Sequence, residues 1–284
     1  MLARGVVPRA AALVRSTHPG PGLAVTIVAV LLGVAVGLEW WRIVVLGVAM
    51  AFDQASVGLS NDARDAERDR AVGRVDKPVA RGEIPRRAVW VAAAVSAALA
   101  LVMTVPLGWP ATAAHAVALA SAWLYNLAAK NTPVSVLPFA LSFGLLPAVA
   151  SLARPEPAWP QWWAFAAGAL LGVAAHFANV LPDLDDDRRT GIRGLPHRLG
   201  LRASLVVTWV ALVLAAAAVT GGSGSTPVAL AGFAVSVLLA VAGLAGALRR
   251  GVGRWLFRLV IVAALIDVAL LVIAGRGILN LGAG

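Results

Sequence analysis

Two short acidic segments hold most of the chemistry available to this chain. The first reads Asn61-Asp62-Ala63-Arg64-Asp65-Ala66-Glu67-Arg68-Asp69 and the second Asp183-Leu184-Asp185-Asp186-Asp187. Asn61, Asp65 and Asp69 step by four, as do Asn179, Asp183 and Asp187. On a helix such residues share one face, with Cβ atoms about 5–6 Å apart. Carboxylates stacked in this way repel one another unless a cation or interleaved arginines neutralise them. The chain has no cysteine, so the ligands on offer are oxygens. They suit a hard divalent ion, Mg2+ by preference, which completes its shell with substrate phosphates. One acidic run is ordinarily a solvated loop; two with matching spacing, each preceded by Asn and followed by Arg, point to paired arms around a diphosphate.

Basic groups follow each arm: Arg64, Arg68, Arg74, Lys77 and Arg81 after the first, Arg188, Arg193 and Arg198 after the second. Arginine meets phosphate oxygens bidentately, whereas lysine acts as a point charge. Lys130 is the one base between the arms on their side of the membrane, and Tyr125-Asn126 lies one turn before it.

The elements that must position these groups follow from composition. Of 284 residues, 60% are hydrophobic and 13% charged, against about 45–50% apolar and about 25% charged in soluble domains. Disorder is excluded by the same figures, and disulfide scaffolds or zinc–thiolate sites by the missing cysteine. A membrane-spanning helix needs about 20 mostly apolar residues, and nine stretches qualify: 20–38, 40–60, 88–106, 110–129, 132–153, 159–180, 203–221, 227–248 and 255–275. Small residues crowd 92–100, 211–218 and 240–247, where helices are expected to approach closely. Residues 1–19 carry Arg4, Arg9 and Arg15 without an apolar core, so no cleaved signal peptide is expected.

The formal net charge is +10, with 24 basic and 14 acidic residues. Threaded through nine spans, 21 bases fall on one side and only Arg42, Arg154 and Arg276 on the other. This positive-inside pattern places the N-terminus and both acidic arms at the cytoplasmic face of a cell membrane. Ten of the 14 acids lie in the two arms and their flanks. The excess positive charge therefore reports topology and a phosphate site, and no nucleic acid is expected as a partner. Trp40-Trp41, Trp109, Trp159, Trp162-Trp163 and Trp255 stand near span ends as interface residues, while Trp123 and Tyr125 are placed to line a cavity.

With these residues in view, the chain resembles the UbiA superfamily of intramembrane prenyltransferases. Asn61-Asp62-x-x-Asp65-x-x-x-Asp69 is similar to the first aspartate motif of that family and Asp183-x-x-x-Asp187 to the second. Lys77-Pro78-Val79-Ala80-Arg81-Gly82 resembles its Arg-Pro-Leu-Ala-Ser-Gly stretch, and Tyr125-x-x-x-x-Lys130 its Tyr-x-x-x-x-Lys segment. Residues 187–200 resemble its Asp-Arg-x-x-Gly-x-x-Thr-Leu-Pro-x-Arg-Leu-Gly tail. Lys77 stands where Arg is usual, Arg81 where a small residue is usual, and Gly194 where Thr is usual.

The resemblance implies one all-α domain over residues 1–284, nine transmembrane helices bundled around a central cavity, with motif loops at 61–87 and 181–202. It implies transfer of a polyprenyl group from its diphosphate to a lipophilic or aromatic acceptor within the lipid bilayer. Asp65, Asp69, Asp183, Asp187, Lys130 and Tyr125 would carry the chemistry. Mg2+ would be held by Asn61 and the four aspartates Asp65, Asp69, Asp183 and Asp187. Substrate contacts would come from Asn61, Asp62, Arg68, Lys77, Arg81, Asn179, Arg188 and Arg198. Asp53 and His176, ionisable residues inside predicted spans on roughly the same faces as the motifs, are acceptor-side candidates. His115 and Asp267 are assigned structural roles. A terpene cyclase and a phosphoribosyltransferase acting on polyprenyl phosphate are alternatives of the same fold. An ion-coupled transporter would instead place its acids near the midplane, at broken helices.

Overall fold

Each of the nine apolar stretches becomes a helix, because a chain segment without water must satisfy its own backbone amides. The computed structural model describes residues 9–181, 184, 191–250 and 253–279. The helices are α1 (Arg9–Ser16), α2 (Pro19–Ala35), α3 (Trp40–Ala71), α4 (Arg86–Thr104), α5 (Trp109–Leu127), α6 (Val136–Leu152), α7 (Trp162–Val180), α8 (Leu195–Gly222), α9 (Pro227–Arg250) and α10 (Arg254–Ile273). Among the described residues the only β pairing is an isolated bridge between Pro160 and Leu279. Among the described residues six helices are long and apolar enough to cross a bilayer, or seven if α1 and α2, which meet at 58°, form one span. α6 is shorter, at 17 residues. α5 carries His115, Ser121 and Asn126, all buried against its neighbours.

Both ends of the bundle are fastened by polar contacts. At one end Arg42 Nη1 donates to Ala153 O at 2.7 Å and Leu107 O at 3.4 Å, joining the start of α3 to the ends of α4 and α6. Trp40, Trp109 and Trp162 open α3, α5 and α7 with 75–79% of their surface exposed, as interface residues should. Trp163 departs from that expectation: it is buried, packed in the core with Val219 and Leu271. At the other end Arg86 Nε donates to Ala63 O at 2.7 Å and Arg86 Nη1 to Glu67 Oε1 at 2.5 Å, clamping α4 to α3.

A polar seam holds α3 against α5. Trp123 Nε1 donates to Ser56 Oγ, and Asn126 Nδ2 to Ser60 Oγ and Val57 O, each at 2.9 Å. Such interhelical bonds contribute roughly 0.6 kcal/mol apiece in a membrane protein. Trp123, expected to line a cavity, is thus a strut, its ring 6.2 Å from that of Trp90. The small residues of α8 behave as expected, with Ala211, Ala215 and Ala216 buried.

Two predicted boundaries differ from the structure. Residues 61–71 continue α3, so the first connection covers only residues 72–85. Alanine, glutamate and arginine favour helix there, and Arg86 pins the overhanging turns. Residues 195–202, assigned to the second loop, are the opening turns of α8, which kinks at Gly200 (φ 80°).

Candidate active site

α3 presents the first acidic motif because it is longer than a membrane requires. Its 32 residues at about 1.5 Å each make roughly 48 Å, against a hydrocarbon core of about 30 Å. The surplus turns carry Asn61, Asp65 and Asp69 as one continuous face. Lys130 reaches that face from a short 3-10 turn, Ala129–Asn131, that follows α5. Its Nζ donates to Asn61 Oδ1 at 3.1 Å and to Asp65 Oδ2. Arg68 Nη2 bridges Asp65 Oδ2 (3.1 Å) and Asp69 Oδ1 (3.0 Å). Asp65 and Asp69 are buried, and only these two cations neutralise them among the described residues.

Asp62 is turned away from that face. Its Oδ1 accepts from Lys77 Nζ at 2.6 Å and lies 2.7 Å from His18 Nε2, and Lys77 Nζ is 2.9 Å from the same nitrogen. Asp62 Oδ2 is buried without a hydrogen-bond partner. Asp62 therefore orients Lys77. His18 takes part because its backbone adopts the left-handed conformation (φ 54°) at the head of α2. The junction can come that close because residue 58 is glycine: a Cβ there would stand 2.2 Å from Thr17 O. No sequence signal marked His18, which lies 44 residues before Asp62.

Arg81 does not join the cluster. It is half exposed, pairing with Glu83 at 3.0 Å and donating to Val75 O at 3.2 Å. Arg74 is likewise committed to Asp76, and its hydrogen bonds hold that carboxyl down at about 2. Arg198 is exposed and donates to Arg193 O at 2.9 Å. Asn179 is exposed in the last turn of α7. Asp183, Asp187 and Arg188 lie outside the described residues.

Tyr125 and His176 come together, although 51 positions separate them in the sequence. Their rings are edge to face at 5.6 Å, and Phe139 lies 4.8 Å from Tyr125 and 4.9 Å from His176. His176 Nε2 is 3.0 Å from Ser135 Oγ, which also accepts from Leu195 N at 2.9 Å. Ser135 thereby ties α7 and the start of α8 to the segment that carries Lys130. Gly194 fits the same joint: a Cβ there would stand 2.6 Å from Lys130 O. Asp53 leaves the expected face and turns into the α3–α5 seam, 3.5 Å from His115 Nε2. Asp267 has the structural role expected of it, accepting from Ser236 Oγ at 2.8 Å between α9 and α10.

Asn61, Asp65 and Asp69 offer the oxygen donors that Mg2+ favours. Among the described residues no three His or acidic side chains converge as a complete metal cage, so the first arm suits a metal whose shell is completed by a second arm or by phosphate. Beside Lys130, an apolar recess of about 430 Å³ opens between α5, α6 and α7, lined by Ala129, Leu137, Leu141, Phe165 and Ala169 among others.

A bundle of apolar helices with an acidic arm on the overhang of one of them is a multi-pass membrane protein. The chain belongs to the UbiA prenyltransferase family, whose model matches residues 22–259. It is 34% identical over 190 residues to a lycopene elongase/hydratase of Haloferax volcanii, covering 64% of this chain and 61% of that protein. It is 30% identical over 156 residues to a 4-hydroxybenzoate octaprenyltransferase of Polynucleobacter asymbioticus, covering 54% of each. The chain thus spans under two thirds of either relative. The structure of a UbiA homologue from Archaeoglobus fulgidus bound to GPP and Mg2+ superposes with a TM-score of 0.73 at 16% identity, over 93% of this chain and 99% of that one.

Proposed function

We propose that the chain is a Mg2+-dependent intramembrane prenyltransferase that moves a prenyl group from its diphosphate to a lipophilic acceptor at the cytoplasmic face. The observation that carries this reading is the Asn61–Asp65–Asp69 face, its two carboxylates buried, with Arg68 and Lys130 lodged in it. Asn61, Asp65 and Asp69, together with Asp183 and Asp187 of the second motif, would hold the metal. When bound, Mg2+ neutralises charge developing on the leaving diphosphate. Arg68 and Lys130 would exchange their carboxylate partners for phosphate oxygens, and Lys77 would have to leave Asp62 and His18 to join them. As the carbon–oxygen bond breaks, its electron pair leaves with the diphosphate. The allylic carbon would then lie by the Tyr125–Phe139 rings, whose faces stabilise a cation. The apolar recess beside Ala129 would take the hydrocarbon tail and exclude water that would quench the cation.

Nine spans with the N-terminus in the cytoplasm accord with the distribution of 21 of 24 bases. α3 runs unbroken past its acids, which disfavours the ion-coupled transporter. The two relatives name different acceptors, a polyene and a phenol, and both belong in the assay.

The test incubates purified protein in detergent with Mg2+ and geranyl or geranylgeranyl diphosphate, with lycopene, 4-hydroxybenzoate, a lipid extract, or no acceptor. Diphosphate release that requires an acceptor supports transfer. Acceptor-free release with a cyclic hydrocarbon product would reassign the chain as a cyclase. No release from any donor would refute the proposal.

A further inference from the structure

The structure joins two ionisable residues inside the membrane that the sequence keeps apart. Asp53 on α3 and His115 on α5 face one another, with Oδ1 and Nε2 3.5 Å apart, and Thr104 at the end of α4 completes the group. The hydrogen-bond count defines its state. Thr104 Oγ1 donates to Ala100 O at 2.8 Å, so at 2.7 Å from His115 Nδ1 it accepts. The ring therefore carries a proton on Nδ1. Asp53 Oδ2 accepts from Gln54 Nε2 at 2.8 Å. What remains is Nε2, buried without a hydrogen-bond partner, facing Oδ1. That gap has a place for one proton, and no Lys or Arg pairs with Asp53 among the described residues. His115 is sealed, with 1% of its side chain exposed, whereas Asp53 keeps 8% and forms the open edge of the pair.

A buried carboxylate and imidazole are costly to retain in a membrane unless they serve a purpose. We propose that Asp53, backed by His115, is the proton acceptor that ends prenyl transfer; this rests on the transferase reading above. When the allylic carbon bonds to the acceptor through an acceptor π pair, the positive charge passes to the acceptor. The cation is discharged when a neighbouring C–H bond, or a phenolic O–H bond, gives its electron pair back to the acceptor. The released proton goes to Asp53 Oδ1 and is shared with His115 Nε2. Thr104 fixes the ring so that Nε2 is the nitrogen presented. The diphosphate has already left with the C–O electron pair, so the step balances without a further reagent. Asp53 lies two helical turns from Asn61, roughly 12 Å along α3, on the membrane side of the acidic motif, and its exposed edge is where an acceptor would have to reach the pair.

The test uses the full chain in detergent with Mg2+, geranyl diphosphate and whichever of lycopene or 4-hydroxybenzoate supports turnover. In Asp53→Asn and His115→Gln the ratio of normal product to diphosphate released is expected to fall about 100-fold, the scale of a lost proton acceptor. Water-quenched alcohol should accumulate in its place. Thr104→Val, nearly isosteric, should shift the product ratio the same way and guards against misfolding of the other two. An unchanged product ratio in all three variants overturns the proposal. If the unaltered chain releases no diphosphate, it is the transferase reading that fails. The pair is then judged by infrared difference spectra: the carboxyl band lost in Asp53→Asn must shift in His115→Gln, and a band indifferent to His115 refutes the shared proton.

Discussion

The Lys130 ammonium lies against Asp65 Oδ2, a residue 65 positions earlier in the chain. The contact brings the turn after α5 onto the overhang of α3, and Asn61 Oδ1 accepts from the same nitrogen at 3.1 Å. In the proposed reaction a lysine at this point would serve two states: it neutralises the acidic face when no diphosphate is bound, and it would pass to phosphate when one is.

Lys130→Met should therefore lower turnover by about 100-fold, comparable to losing one preorganised charge donor. It should also destabilise the protein by about 1–3 kcal/mol through the lost partner of a buried carboxylate. Lys130→Arg should recover part of both, since the charge survives but the point geometry does not. Diphosphate release and thermal unfolding in detergent give the two values.

Mg2+ together with geranyl diphosphate should raise the melting temperature of the unaltered chain, because a ligand that binds only the folded state stabilises it by mass action. Asp65→Asn and Asp69→Asn should abolish that rise. A full rise in either variant would show that its carboxylate does not hold the metal.

Asp62→Ala should destabilise more than His18→Ala. The first leaves the Lys77 ammonium, only 12% exposed, without its carboxylate, a change on the order of 3–5 kcal/mol when a buried pair is broken. The second removes one hydrogen-bonded neighbour, worth about 1 kcal/mol. Chemical unfolding of the two variants in detergent checks the order.

Gly194→Thr, which restores the residue usual in the family, should here be harmful. Its Cβ would stand 2.6 Å from Lys130 O and 3.1 Å from Ser135 Oγ, and forced overpacking costs roughly 1–3 kcal/mol. Because the displaced backbone carries Lys130, turnover should fall together with stability. A stable, active Gly194→Thr protein would mean that this joint is looser than described.

Topology can be read without background, since the chain has no cysteine. Val75→Cys, at a position 77% exposed in the loop after α3, should react with a membrane-impermeant thiol reagent only in inverted vesicles. Ser223→Cys, at the end of α8, should react only in right-side-out cells. The opposite pattern would invert the proposed orientation.

Nearly all of the helical architecture was legible in the sequence. Apolar stretches of membrane length become helices whatever their neighbours, because lipid offers backbone amides no partner. The first motif was legible for a related reason: the four-residue step of Asn61, Asp65 and Asp69 is a property of the helix itself. Lys130 stood out as a lone charge at a span boundary.

Contacts between helices were not legible, because they depend on how one helix is rotated against the next. Eight residues advance an α-helix by a little over two turns, so Asp53 departs from the Asn61 face and meets His115 across the α3–α5 seam. Rotation likewise turns Asp62 from the metal face to Lys77 and His18, and leaves Arg81 with Glu83 in the loop. Periodicity along one chain determined which residues share a helical face; only packing among several helices decided what each face meets, since that depends on close approaches such as Gly58 against Thr17 and Gly194 against Lys130.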